Sequence, residues 1–213
     1  MIHFDGTAWS SVDVPLPDGE VQLSGIAARA PDDVWLFGYW SPKSLEPERA
    51  HVLALHWNGS NWRRLGLGSP VGSIRGWAND ATVAPGGAIW LVGTAMTPVP
   101  HRDPIEHPMA LELRRGAWTR HDPDPADSPF FSAVAFSSPN DGWTVGQIGY
   151  SQAVMEHWDG ASWSIVPLRI DPDSSFEDVA AAPDGSVFAV GQLSTYFDDY
   201  GDAVYASVIF RRC

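Results

Sequence analysis

His157-Trp158-Asp159-Gly160-Ala161-Ser162-Trp163 is the phrase that decides the fold, because the chain says it four times. His3-Phe4-Asp5-Gly6-Thr7-Ala8-Trp9 and His56-Trp57-Asn58-Gly59-Ser60-Asn61-Trp62 are close copies. Glu112-Leu113-Arg114-Arg115-Gly116-Ala117-Trp118 is a worn one that keeps the six-residue offset to tryptophan. A second phrase alternates with the first: Trp35-Leu36-Phe37-Gly38, Trp90-Leu91-Val92-Gly93, Trp143-Thr144-Val145-Gly146 and Phe188-Ala189-Val190-Gly191. Its glycines are spaced by 55, 53 and 45 residues, and the closing tryptophans of the first phrase by 53, 56 and 45. Two independent markers thus agree on four units, and a repeat of this length is the primary architectural signal in a sequence.

Each unit reads as four short strands. Leu23 to Ala30, small and apolar, meets the turn Pro31-Asp32-Asp33 and returns through Trp35 and Gly38. After a variable loop, Val52 to Trp57 forms a third strand, and Asn58-Gly59 tolerates the positive φ of a tight turn into a fourth through Trp62. Four-stranded units at this period are β-propeller blades. The spacing predicts an all-β, four-bladed β-propeller occupying 1-213 as a single domain. Ser207 to Arg212 align with the third strand Ala153 to Trp158 and have no fourth strand after them. Thr7 to Val14 has no first three strands before it, so the N-terminal strand is expected to close the last blade. An open half-ring that dimerises into eight blades is the rival arrangement.

Composition agrees and excludes. Of 213 residues 44% are hydrophobic and 18% charged, enough for a substantial core, and the 18 prolines and 20 glycines interrupt the chain too often for a helical bundle. The net charge is −13, with Lys43 the one lysine, which argues against nucleic-acid binding because phosphate-backbone affinity needs clustered cations. No apolar run approaches the roughly 20 residues that span a bilayer. The start of the sequence shows no secretory leader and Cys213 has no intramolecular disulfide partner, so a cytoplasmic location is expected.

On these phrases the chain resembles the tryptophan-rich bacterial propeller repeats often described as kelch-like or galactose-oxidase-like, of the form His-Trp-Asp-Gly-x-x-Trp followed by Pro-Asp-Asp-Val-Trp-x-x-Gly. It is also similar to the Asp-box turn of sialidase-type propellers, which implies that Asp5, Asn58 and Asp159 brace the turn between third and fourth strands. The third copy departs, with Arg114 and Arg115 in place of Asp and Gly. The resemblance covers nearly the whole chain and is specific for architecture, since propellers host many chemistries. A galactose-oxidase copper site needs a cysteine crosslinked to tyrosine, which Cys213 is ill placed to supply. A sialidase site needs three arginines, and only Arg29 and Arg75 fall on or next to inner strands.

Candidate sites follow from what the repeat does and does not explain. His3, His56, Glu112 and His157 recur on third strands, where blade symmetry keeps them apart, so they read as packing partners of tryptophan rather than as a shared metal site. Most of the eleven tryptophans sit at repeated positions and read as blade packing, whereas Trp40 and Trp77 fall outside the pattern and are candidate ligand contacts. One loop carries His101, Arg102, Asp103, Glu106 and His107, an acid/base or metal-ligand assortment. Acidic segments around Asp171, Asp173, Asp198, Asp199 and Asp202 offer oxygens for calcium or another divalent cation, but without an intact calcium-loop spacing, so no cofactor is assigned. Alignment on Trp-x-x-Gly makes Ser24-Gly25, Asn79-Asp80, Ser132-Ala133 and Glu177-Asp178 equivalent at the entry to the inner strands. Asn79, Asp80, Glu177 and Asp178 are therefore the expected ligand-binding residues of the channel mouth, with Asp80, Glu177, His101 and His107 as acid/base groups if the protein is catalytic.

Two functions compete on this reading. The first is a binding module whose loop face grips a protein or small ligand, neutralising a basic partner for example, favoured by the acidic charge and the lack of a nucleophile or phosphate motif. The second is a small-molecule-converting enzyme of bacterial specialised metabolism, working by proton transfer over the channel. Neither reading calls for a nucleic-acid or membrane partner, and the expected state is a monomer, with a dimer as the alternative.

Overall fold

Repeated hairpins, each closed by a local turn, build the whole molecule. The computed structural model describes residues 1–42, 50–67, 74–123, 129–149, 152–170, 173–197 and 203–212, and every regular element among them is a strand. Three antiparallel four-stranded sheets are present. The first comprises β3 (Glu20–Ala30), β4 (Asp33–Ser41), β5 (His51–Trp57) and β6 (Trp62–Leu65). The second comprises β7 (Gly76–Val83), β8 (Ile89–Val99), β9 (Arg102–Arg114) and β10 (Ala117–Arg120). The third comprises β11 (Pro129–Ser138), β12 (Asp141–Ile148), β13 (Gln152–Trp158) and β14 (Trp163–Ile165). The last sheet has three strands, β15 (Ser174–Ala181), β16 (Val187–Phe197) and β17 (Ala203–Arg212). Within each sheet the strands pair in chain order, and the first strands β3, β7, β11 and β15 lie side by side from one sheet to the next. Among the described residues no helix is long and apolar enough to cross a membrane.

The sequence-predicted closure of the last sheet by the N-terminal strand is not made. β2 (Trp9–Ser11) pairs instead with β1 (Ile2–Phe4), Phe4 opposite Trp9, as a separate two-stranded sheet. The reason is local: Asp5-Gly6 is a working hairpin turn, in which Asp5 Oδ1 accepts the N–H groups of Thr7 at 2.8 Å and Ala8 at 2.9 Å. That turn hands β2 a partner five residues upstream, and among the described residues β17 is the last strand of its sheet.

The same bracket supports the turn in two later sheets. Asn58 Oδ1 accepts from Ser60 and Asn61, and Asp159 Oδ1 accepts from Ala161 and Ser162, both at 2.9 Å. In the worn copy, Arg115 and Gly116 take positive φ themselves, at 52° and 80°, and no side-chain bracket is needed.

Trp-x-x-Gly acquires a physical meaning from register. Each first strand carries a β-bulge, between Leu23 and Gly25, Ala78 and Asp80, Phe131 and Ala133, and Phe176 and Asp178. Facing each bulge on the second strand is the glycine of the motif: Gly38, Gly93, Gly146 or Gly191. A Cβ there would overlap the carbonyl oxygen of Gln22, Trp77, Phe130 or Ser175, respectively. The bulge draws the backbones together, and only glycine leaves room.

The sheets stack face to face through aromatic and aliphatic seams. Trp35, Phe37 and Ala54 of the first sheet meet Ile89, Leu91, Met109 and Trp118 of the second. Trp90 and Val92 then meet Phe131, Phe136 and Trp158, and Trp143, Val145 and Met155 meet Phe176, Val187 and Ala189. Six of the repeated tryptophans are buried in these seams, as repetition predicts, whereas Trp9, against Phe4 on the separate N-terminal hairpin, is 67% exposed.

Candidate functional site

The four bulges put side chains of the first strands at equivalent heights, and the side chains diverge from sheet to sheet. Ser24 Oγ donates to the Ala78 carbonyl at 2.5 Å, and Asn79 Nδ2 donates to the Phe131 carbonyl at 2.6 Å. Both bonds run from one sheet to the next, so Asn79 ties two sheets together rather than standing free. Asp80 also reaches forward, its Oδ2 accepting the Val134 N–H at 2.9 Å. In the last sheet, Ser175 Oγ donates to Glu177 Oε1 at 2.8 Å, while Asp178 Oδ1 accepts the neighbouring Val179 N–H at 2.8 Å. Glu177 and Asp178 are exposed; Asp80 is half-buried.

Asp80 is the carboxyl of the inner strands whose surroundings perturb it. Burial pushes its pKa above the usual carboxylate range; the N–H groups of Val134 and Ala81 oppose this in part, and the negative charge of Asp178 raises it further. The second and last sheets, two apart in the stack, thus bring two carboxyl groups into electrostatic contact at the inner strands. Burial, with a like charge adding to it, is one of the ways active sites shift a carboxyl, which makes Asp80 the candidate group of this rim.

The other candidates separate from this pair. His101, at φ 60°, caps the turn between β8 and β9 and is exposed. The supposed loop is a long two-stranded ribbon, with Ala95 opposite His107, Met96 opposite Glu106 and Val99 opposite Arg102. His107 acts electrostatically on Asp122. It lies three residues along β9 from Ala110, which stands in the same rung as Asp80, so about 10 Å separates the two levels. His101 is about 30 Å beyond that rung by the same measure and does not join the Asp80 site. Trp40 lines a shallow groove with His51, Arg64 and Leu65; its indole N–H donates to the Asp18 carbonyl at 2.8 Å and Arg64 lies over its ring. Trp77 is half-buried on β7, two residues before Asn79. Asp198 and Asp199 lie outside the described residues, as do Asp171 and Asp202. Among the described residues no group of three His, Cys, Asp or Glu side chains is placed to hold a metal ion.

The repeated histidines have a defined place. His56 stacks on Trp35 with centroids 4.3 Å apart, and its Nε2 donates to Asp33 Oδ1 at 3.0 Å, which also accepts the Trp35 indole N–H at 2.9 Å. His157, Trp143 and Asp141 repeat this, with contacts of 2.7 Å from His157 and 3.1 Å from Trp143 to Asp141 Oδ1. Burial works to raise Asp33 and Asp141, but Arg29, Trp35 and His56 for the first, and Ser137, His157 and Trp143 for the second, outweigh it and hold both carboxyls low. In the second sheet Ala88 replaces the aspartate, and the buried Trp90 indole nitrogen has no hydrogen-bond partner. Sequence reading also missed Glu156, which is fully buried at the position held by Leu55 and Leu111 in the preceding sheets. Its signal was a carboxylate breaking an otherwise aliphatic column.

No family model matches this chain, and no curated protein matches it. Several solved structures are similar in outline. A GH130-family glycoside hydrolase acting on β-1,2 mannosidic linkages is 12% identical over 87% of this chain and 64% of its own, with a TM-score of 0.47. A mannose phosphorylase from Leishmania mexicana is 12% identical over 91% and 69%, at 0.47, and a gluconolactonase from Xanthomonas campestris is 17% identical over 88% and 76%, at 0.43. The chain spans a little under two thirds of the length of the GH130 enzyme. These neighbours are propeller-like, in keeping with an all-β chain of repeated antiparallel sheets. These three are enzymes by name, and the expectation of a binding module that grips a protein or small ligand is corrected on that finding.

Proposed function

We propose that this protein is a small-molecule-converting enzyme of bacterial specialised metabolism that performs acid/base chemistry at the inner-strand rim of a four-sheet, kelch-like propeller. On this reading 1-213 acts as one domain, in the cytoplasm, on a small organic substrate. The observation that carries the proposal is the state of Asp80: half-buried, fixed by the Val134 N–H, and pushed by burial and by the Asp178 charge to hold its proton to higher pH than an ordinary carboxyl.

A carboxyl that keeps its proton donates it to a leaving oxygen, and a second, exposed carboxyl across the rim accepts one from water or a substrate hydroxyl. Asp80 fills the first role and Asp178 the second, while Ser24 and Asn79 tie the strand that carries Asp80 to the sheets on either side. Glu177, bonded to Ser175, orients polar groups of the substrate from the last sheet. One carboxyl as proton donor and another as proton acceptor suit hydrolysis of glycosidic and lactone bonds.

The test is turnover of a panel of p-nitrophenyl glycosides and of γ- and δ-lactones, read by absorbance and by pH-stat. The expected result is conversion of at least one class, with Asp80→Asn lowering kcat about 100-fold or more while the fold is kept. Full activity in that variant, or no turnover across the panel, sinks the assignment.

A further inference from the structure

The three seams inside the chain specify what a fourth would look like, and both halves of it lie bare. The leading face of each sheet is marked by one cross-strand pair: Phe37 and Ala54 in the first, Val92 and Ala110 in the second, Val145 and Met155 in the third. All six residues are at most 1% exposed, each covered by the next sheet. The equivalent pair in the last sheet is Val190 and Ile209, and these are 43% and 73% exposed, beside Phe188 at 38%. The trailing face is marked by Ala81, Val134 and Val179, all buried, whereas their equivalent in the first sheet, Ile26, is 61% exposed.

Hydrogen bonding repeats the pattern. Asp80 accepts from the Val134 N–H across the seam between second and third sheets. Asp178 is the register equivalent of Asp80, and Ile26 that of Val134, yet Asp178 turns back to the Val179 N–H of its own strand. One face therefore lacks a cover and the other lacks something to cover, each with the composition that the internal seams satisfy.

We infer that these two faces are the halves of an interface between two copies of this chain, the last sheet of each packing on the first sheet of the other. Val190, Ile209 and Phe188 of one copy meet Ile26 and its neighbours in the second, and Asp178 takes the Ile26 N–H of that copy as Asp80 takes Val134. A head-to-tail contact made twice closes under two-fold symmetry and leaves no free face. Three strands of about eight residues present a face of about 26 by 14 Å, so four such faces bury on the order of 1,500 Å², the size of a stable interface.

The test is sedimentation velocity on the 213-residue chain between about 1 and about 100 µM, with Ile26→Asp, Ile209→Asp and their equimolar mixture. The wild type is expected to reach twice the 23.2 kDa of one copy, and each variant to stay at that single-copy mass. The mixture regains the doubled mass, because a pair of unlike variants contains one unaltered seam. A wild type that stays at single-copy mass throughout, or a mixture no more associated than its components, overturns the inference. So does an Ile209→Asp chain that melts well below wild type under conditions where both are single copies, since Ile209 would then be buried within its own chain.

Discussion

Asp141→Ala is expected to remove about 3 kcal/mol of stability. Asp141 receives three donors: the Trp143 indole N–H at 3.1 Å, His157 Nε2 at 2.7 Å and the Ser137 hydroxyl. Trp143 is 3% exposed, so its N–H is stranded without water and costs about 1–3 kcal/mol. His157 and Ser137 are half-buried and recover solvent, at about 0.5 kcal/mol each. For a chain of this length the loss corresponds to a Tm lower by about 6–12 °C. Asp141→Asn keeps an acceptor oxygen, loses the charge, and is expected to cost about 1 kcal/mol. The donors hold the Asp141 carboxyl below its ordinary 3.8, so its contribution is complete above that pH and is lost as pH falls through the lower folded value. The gap between wild type and Asp141→Asn should therefore close in acid. Denaturant titration at neutral pH and near pH 3 measures both effects. A loss below about 0.5 kcal/mol for Asp141→Ala, or a gap that widens in acid, would refute the account.

Two further outcomes follow from other parts of the fold. Gly146→Ala places a methyl group on the Phe130 carbonyl oxygen across the bulge, and a loss of about 3 kcal/mol or more is expected in the same titration, against about 1–2 kcal/mol for Gly149→Ala, where space is open and only the positive φ is strained. Asp80→Asn is expected to be more stable than wild type at neutral pH, because a carboxyl whose folded pKa is raised contributes most below 3.8 and loses that contribution as pH rises through the folded value. Thermal melts from acid to neutral pH check this: the variant's advantage should vanish at the acid end.

The repeated antiparallel sheets and the turn positions were legible because their causes are local. Asn58-Gly59 and Asp159-Gly160 announce a hairpin within a few residues, and the alternation of Trp35, Phe37 and Gly38 fixes a strand wherever it occurs. Reading Thr7 to Val14 as a strand of the last sheet failed for the same reason, since a competent local turn at Asp5-Gly6 offers β2 a nearer partner. The equivalence of Asn79-Asp80 with Glu177-Asp178 came from motif spacing, and register reproduces it. What those residues touch was not legible. Asn79 meets Phe131 52 residues away, and Asp80 meets Val134 54 residues away. Such partners depend on how far one sheet is rotated against the next. His101 and His107 illustrate the converse error, for proximity in sequence suggested a cluster that an extended ribbon pulls apart.

Stacking sheet upon sheet has a thermodynamic corollary. Where each layer touches only the one before and the one after, folding behaves as a one-dimensional array, with a term for each layer and one for each junction. In a copy that stands alone, middle layers own two junctions and end layers own one, so the array melts from its ends, and association of two copies removes that difference. Asp80 rides on a layer with neighbours on both sides, and Asp178 on the terminal one. The two carboxyl groups thus inherit different opening free energies: one is a fixed post, the other swings with the most labile layer. Amide exchange at concentrations that keep the copies apart should find Val134 among the slowest sites and Val190 among the fastest strand sites, and anything that steadies the end of the stack would steady the alignment of the pair.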